Sequence, residues 1–160
     1  MGLERLNSLY REVILDHSDH PHHKHALPDA THKITLKNPT CGDVINLDID
    51  LDDHDKIKDI GFTGDGCTIS QSSASMMTDA VMGKSKEQAL HMAKTFSDMV
   101  MGKKHPQADL DELQDAAILS NVMTFPARIK CATLSWWALQ RALLKQPDGS
   151  VDSDDSDKGE

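Results

Sequence analysis

The sequence predicts an α+β fold in which a three-stranded antiparallel sheet packs against several helices. Three features lead there. Residues 33–62 contain three runs in which apolar and polar side chains alternate, joined by short loops rich in Asn, Pro, Gly and Asp. From Cys67 to about residue 145 the apolar spacing is that of helices. A separate amphipathic stretch precedes the first strand, so helices and strands are segregated along the chain.

The first helix is expected over residues 3–15, where Leu6, Leu9, Tyr10, Val13 and Ile14 recur at helical spacing among Glu4, Arg5, Arg11 and Glu12. A polar loop follows from His17 through His20, Pro21, His22 and His23 to His25. Its His and Asp content invites a metal reading, but its Pro and polar weight favours a solvated linker. The strands are expected around Ile34 and Leu36, then Ile45, Leu47, Ile49 and Leu51, then Ile57, Ile60 and Phe62. With no crossover helix between them, they pair as an antiparallel meander. Thr68 and Gln71 form a T-x-x-Q capping-box signature opening a helix that Gly83 ends. A further helix spans residues 85–100 and is broken by Gly102 and Pro106; residues 110–119 read as short helical turns. The last helix starts near Thr124, carries Pro126 in its first turn and runs to about Lys145. Ile129, Ala132, Trp136, Leu139 and Leu143 form one apolar stripe, and Cys131, Leu134, Ala138 and Ala142 another, so this helix should be buried on two sides.

The 160 residues suffice for one domain with a real core, expected at residues 1–146. Aromatics are only 4% and Met numbers 8, so Met, Leu, Ile and Ala supply much of that core. More than half of the net charge of −9 lies in residues 148–160, and residues 147–160 are expected to be an acidic, disordered tail. An acidic body gives no reason to expect nucleic acid as a partner. No apolar run approaches the roughly 20 residues of a membrane span. The N-terminus has neither the basic nor the apolar segment of a secretory signal. Three cysteines, an odd count, suit a disulfide framework poorly, and a cytoplasmic location is expected.

Those cysteines stand in suggestive places. Cys41 lies in the turn between the first two strands, with Asp43 two residues on and Gly42 between them. Cys67 precedes a helix N-terminus, where unpaired N–H groups favour a thiolate, and Gly64 and Gly66 permit a tight turn. Cys131 sits inside the last helix. Three thiolates and one carboxylate would suit a tetrahedral zinc ion. Spacing leaves two readings open, packed free thiols or a metal centre, because there is no C-x-x-C pair. Packing, however, does not ask for cysteine in Gly-rich turns.

Three segments carry a resemblance. Pro39-Thr40-Cys41-Gly42-Asp43, then Gly64-Asp65-Gly66-Cys67-Thr68-Ile69-Ser70-Gln71-Ser72-Ser73-Ala74-Ser75, and Phe125-Pro126-Ala127-Arg128-Ile129-Lys130-Cys131-Ala132 resemble, in order, the three cysteine motifs of the IscU/SufU (NifU N-terminal-like) iron–sulfur cluster assembly family. Residues 6–17 also resemble the family's first helix, and the resemblance spans about residues 3–145. It implies a SufU/IscU-like fold. Lys130 stands where the IscU branch has a His before its third cysteine, that branch's Leu-Pro-Pro-Val-Lys stretch is missing, and residues 84–114 form a long additional segment. These departures resemble the zinc-binding SufU branch.

The resemblance implies a zinc-dependent sulfurtransferase that accepts persulfide sulfur through Cys41 from a SufS-type cysteine desulfurase, ahead of downstream iron–sulfur assembly proteins. Cys41, Asp43, Cys67 and Cys131 would be the ligands of Zn²⁺. Arg128, one helical turn before Cys131, is a candidate catalytic residue that could offset the negative charge of such a centre. The alternative is a scaffold that assembles an iron–sulfur cluster on the same four ligands and passes it to apo-proteins.

Overall fold

The computed structural model describes residues 8–39, 42–124 and 126–150. The first described helix, α1, is Ser8–Asp19, so it continues past the expected end and takes in His17. Strands β1 (His32–Asn38), β2 (Asp43–Leu51) and β3 (Ile57–Thr63) form the expected antiparallel meander. Its register sets Ile34 opposite Leu47, Leu36 opposite Ile45, and Ile49 opposite Ile60. A one-residue slip would turn this apolar face to water, so the alternation itself fixes the pairing. The β2–β3 turn is closed by Asp52, whose Oδ1 accepts from the N–H groups of His54 and Lys56 at 2.8 and 3.0 Å.

The helices are α2 (Thr68–Val81), α3 (Lys86–Val100), α4 (Gln107–Glu112) and α5 (Pro126–Leu143), with a 3₁₀ segment at Gln114–Thr124. Ser85 caps α3 by accepting from the Gln88 N–H at 3.1 Å. Helix α5 is the centrepiece. It packs on β1 and β2 and is flanked by α2 and α3. Both expected stripes are buried on it, from Cys131 and Ala132 to Leu139 and Leu143, with Ile129 partly covered. Trp136 stacks on Phe96 of α3 at a centroid distance of 4.7 Å. The helix closes with Lys145 in the left-handed region at φ 57, Gln146 N–H on Arg141 C=O and Lys145 N–H on Ala142 C=O, which is a Schellman ending without glycine.

Two features go beyond the expected sheet. A two-residue strand, β4 (Gly149–Ser150), pairs parallel to β1 at Leu36 and Lys37, and Asp148 Oδ1 accepts from the Thr35 N–H at 2.8 Å. The segment after α5 is therefore docked as far as residue 150, and residues 151–160 lie outside the described residues. The loop after α1 is exposed at His20, His22, Lys24 and His25, yet it is docked: the His23 carbonyl accepts from the Phe62 N–H on β3, and His22, His23 and Lys24 bond to side chains of α2. Among the described residues no helix is long and apolar enough to cross a membrane.

Candidate metal centre

Asp43 opens β2 directly opposite Asn38, and both are buried. The Gly42 N–H returns to the Asn38 carbonyl at 2.8 Å with Gly42 at φ 75, a conformation glycine adopts without steric cost. The turn before α2 lies against this hairpin through a bond from the Val44 N–H to the Asp65 carbonyl, 2.8 Å. Here glycine is demanded by space. A Cβ on Gly66 would collide with Ser70 Oγ and stand 2.8 Å from Asp43 Oδ1, and one on Gly64 would collide with the Val44 carbonyl.

This closeness delivers Asp43 to the start of α2. Cys67 is the residue that caps α2, and its own side chain makes no capping bond. Asp43 Oδ1 accepts from the Cys67 N–H at 3.1 Å and from Ser70 Oγ at 3.4 Å. The expected capping box is thus replaced: Thr68 is already inside the helix, and a carboxylate from the sheet supplies the cap. Gln71, the other half of the expected box, instead accepts from Lys24 Nζ at 2.7 Å.

Cys131 arrives from the third direction, on the first half of α5, where Ser73 Oγ of α2 donates to the Ala132 carbonyl at 2.6 Å. One ligand atom each from Asp43, Cys67 and Cys131 lie within 4.8 Å of one another. The Cys67 thiol is pushed down to about 5, chiefly by a hydrogen bond from Cys131 and against its own burial. The Ser70 N–H lowers it further, the Asp43 charge raises it, and the Ile69 N–H lowers it. Asp43 Oδ2 is buried and has no hydrogen-bond partner among the described residues. An orphaned carboxylate oxygen beside a thiolate and a second thiol is a poor arrangement for bare side chains and a suitable one for a soft divalent ion. The donor set fits zinc.

Cys41 lies outside the described residues, two positions before Asp43. Arg128 is exposed in the first turn of α5. The sequence reading passed over Ser70 and Asn38 and placed His17 in a solvated loop. Ser70 shares Asp43 Oδ1, and only its place three residues after Cys67 hints at it. The Asn38 carboxamide is wholly buried beside Asp43 with neither atom partnered among the described residues. His17 is buried, and its spacing from Val13 and Ile14 on the apolar face of α1 was the available signal.

The fold and site define a small α+β domain with a thiol–thiol–carboxylate cluster at one end of its sheet that could hold a metal ion. The chain matches the NifU-like N terminal domain over residues 9–145. It is 53% identical over 145 residues to the iron–sulfur cluster assembly scaffold protein IscU of Streptococcus pyogenes serotype M1, covering 91% of this chain and 89% of that one. It is 49% identical to the zinc-dependent sulfurtransferase SufU of Bacillus subtilis strain 168, covering 91% and 96%. A crystal structure from Fervidobacterium islandicum, described as an iron–sulfur cluster assembly scaffold for the SUF system, superposes with a TM-score of 0.74 at 35% identity, over 82% of this chain and 94% of the other. The chain belongs to the IscU/SufU family of iron–sulfur cluster assembly proteins.

Proposed function

We propose that this chain is a zinc-dependent sulfurtransferase that takes persulfide sulfur from a SufS-type cysteine desulfurase on Cys41 and passes it towards iron–sulfur cluster assembly. The observation that carries this reading is the buried cluster of Asp43, Cys67 and Cys131, with its unpartnered carboxylate oxygen and its low-lying Cys67 thiol. The name of the Bacillus subtilis relative supports it.

Asp43, Cys67 and Cys131 would hold the metal, with Cys41 as fourth ligand between transfers. Bound zinc would keep these thiols deprotonated at neutral pH and, having no redox chemistry, would not consume the sulfur. Asp43 fixes the tip of α2 and thereby the position of Cys67. The Cys41 thiolate attacks the outer sulfur of the partner's persulfide; the partner's S–S bond breaks, its cysteine leaves as a thiolate, and a new S–S bond forms on Cys41. No electrons are gained or lost overall. Arg128 would counter the surplus negative charge around Cys131 during the exchange.

The test combines metal analysis with a persulfide-acceptance assay. The expected result is colourless protein with about one zinc per chain, sulfur uptake abolished in Cys41→Ala, and uptake weakened in Arg128→Ala at unchanged metal content. Full relay by Cys41→Ala would overturn the reading. The name of the Streptococcus pyogenes relative favours a second one, a scaffold on which a cluster is built at the same four ligands. Brown protein whose cluster passes to an apo-acceptor would establish that alternative.

A further inference from the structure

A second group of metal-ligating side chains lies along α2, away from the cysteines. His17 on the last turn of α1, His22 in the following loop and Asp79 on α2 each offer one ligand atom, all within 4.8 Å of one another. His22 Nδ1 meets Asp79 Oδ2 at 2.5 Å, and the His17 and His22 rings are 4.7 Å apart. Ser75 and Asp79 share a helix face, with roughly 12 Å of helix between Cys67 and Ser75 and roughly 18 Å between Cys67 and Asp79.

The hydrogen bonds assign the His17 tautomer. Ser75 Oγ accepts from the His22 N–H at 2.8 Å, which leaves its hydroxyl hydrogen for His17 Nδ1 at 2.7 Å. His17 Nε2 then carries the ring hydrogen and donates to Asp115 Oδ2 at 3.0 Å. A buried imidazole anchored on a carboxylate through one nitrogen, with a lone pair on the other, is the arrangement in which histidine binds metal. The Ser75 hydroxyl covers that lone pair and can turn to the carbonyl one helical turn earlier. Asp79 and Asp115 balance a divalent charge. His17 is buried while the His22 side chain is 46% exposed, which leaves a way in and room for water ligands.

We propose that His17, His22 and Asp79 form a second metal site, distinct from the cysteine centre, for a borderline divalent transition ion such as zinc, nickel or cobalt. Imidazole and carboxylate ligands select that class over magnesium or calcium. Bound there, the ion would staple the end of α1 and its loop to α2.

The full chain, with its cysteine centre already loaded with zinc, is dialysed against micromolar free zinc and the bound metal is counted. A second equivalent is expected in wild type, lost in His22→Ala and in Asp79→Asn with the first retained. A double His20→Ala, His25→Ala variant keeps both. Cobalt taken up as the second equivalent should show ligand-field bands without sulfur-to-cobalt charge transfer. The proposal is overturned if wild type stops at one equivalent, if His22→Ala and Asp79→Asn keep two, if the double variant loses one, or if the second cobalt shows sulfur charge transfer. Every variant retains all three cysteines, so this outcome is read independently of sulfur acceptance.

Discussion

Asp43 accepts the Cys67 N–H on one oxygen and would offer the other to a metal, and substitution can separate the two. Asp43→Asn keeps an acceptor for the Cys67 N–H and should leave the metal-free chain nearly as stable, yet sharply weaken zinc retention. Asp43→Ala should lose the metal and also lower metal-free stability by about 1 kcal/mol, the cost of a lost cap. Metal analysis and melting of chelated protein distinguish them. Cys67 supplies a pH prediction. Its thiol lies at about 5 instead of 9.0, so alkylation of the metal-free chain at Cys67 should reach half its plateau near pH 5. The linked stability has a definite sign: a lowered pKa stabilises the fold fully above the unfolded value and loses that contribution as pH falls towards 5. The melting-point gap between wild type and Cys67→Ser, both metal-free, should therefore widen from pH 5 to pH 9. At this scale the sequence exposed the cysteines and Asp43, because their residue types are chemically unusual in Gly-rich turns. It concealed Ser70 and Asn38, because ordinary polar residues acquire their role only through the tertiary contact.

Among the elements, α3 illustrates a local rule that holds and α2 one that is overridden. Ser85 caps α3 with its own side chain, and Ser85→Ala should cost about 1 kcal/mol in melting without altering metal content. For α2 the capping box at Thr68 and Gln71 was readable, but Asp43 arrives across the sheet and accepts from the N–H of Cys67, the residue that caps the helix. No scan of neighbouring residues could have shown that. The same approach makes Gly66 a contact glycine. Gly66→Ala should cost about 1–3 kcal/mol by displacing Ser70 and the carboxylate, and should reduce bound zinc, unlike Ser85→Ala. The histidine loop followed a similar course. Its polar composition suggested solvent, whereas pairing with the backbone of β3 and the side chains of α2 brings it into the fold.

The whole molecule is organised around α5, which carries Cys131 through the centre of the core. That burial was legible from two apolar stripes on one helix, and the sheet from strict alternation, because both periodicities answer directly to core packing. The parallel strand at Gly149–Ser150 was not, since two residues carry no periodicity. Trp136→Ala should cost about 3–5 kcal/mol, because it removes a fully buried ring stacked on Phe96. Removing metal with a strong chelator should also lower the melting temperature markedly, as the unfolded chain offers no assembled site and binding free energy adds to folding. An unshifted transition after verified removal would contradict a metal at this centre.

The bond from the Cys67 amide to Asp43 also makes that amide a gauge of the carboxylate's movements. If the side chain swung away, the first turn of α2 would lose this anchor and the Cys67 amide would open to deuterium. Exchange at this one position, followed by mass spectrometry while a desulfurase is added, would report each excursion of the carboxylate in real time without any label attached to the protein.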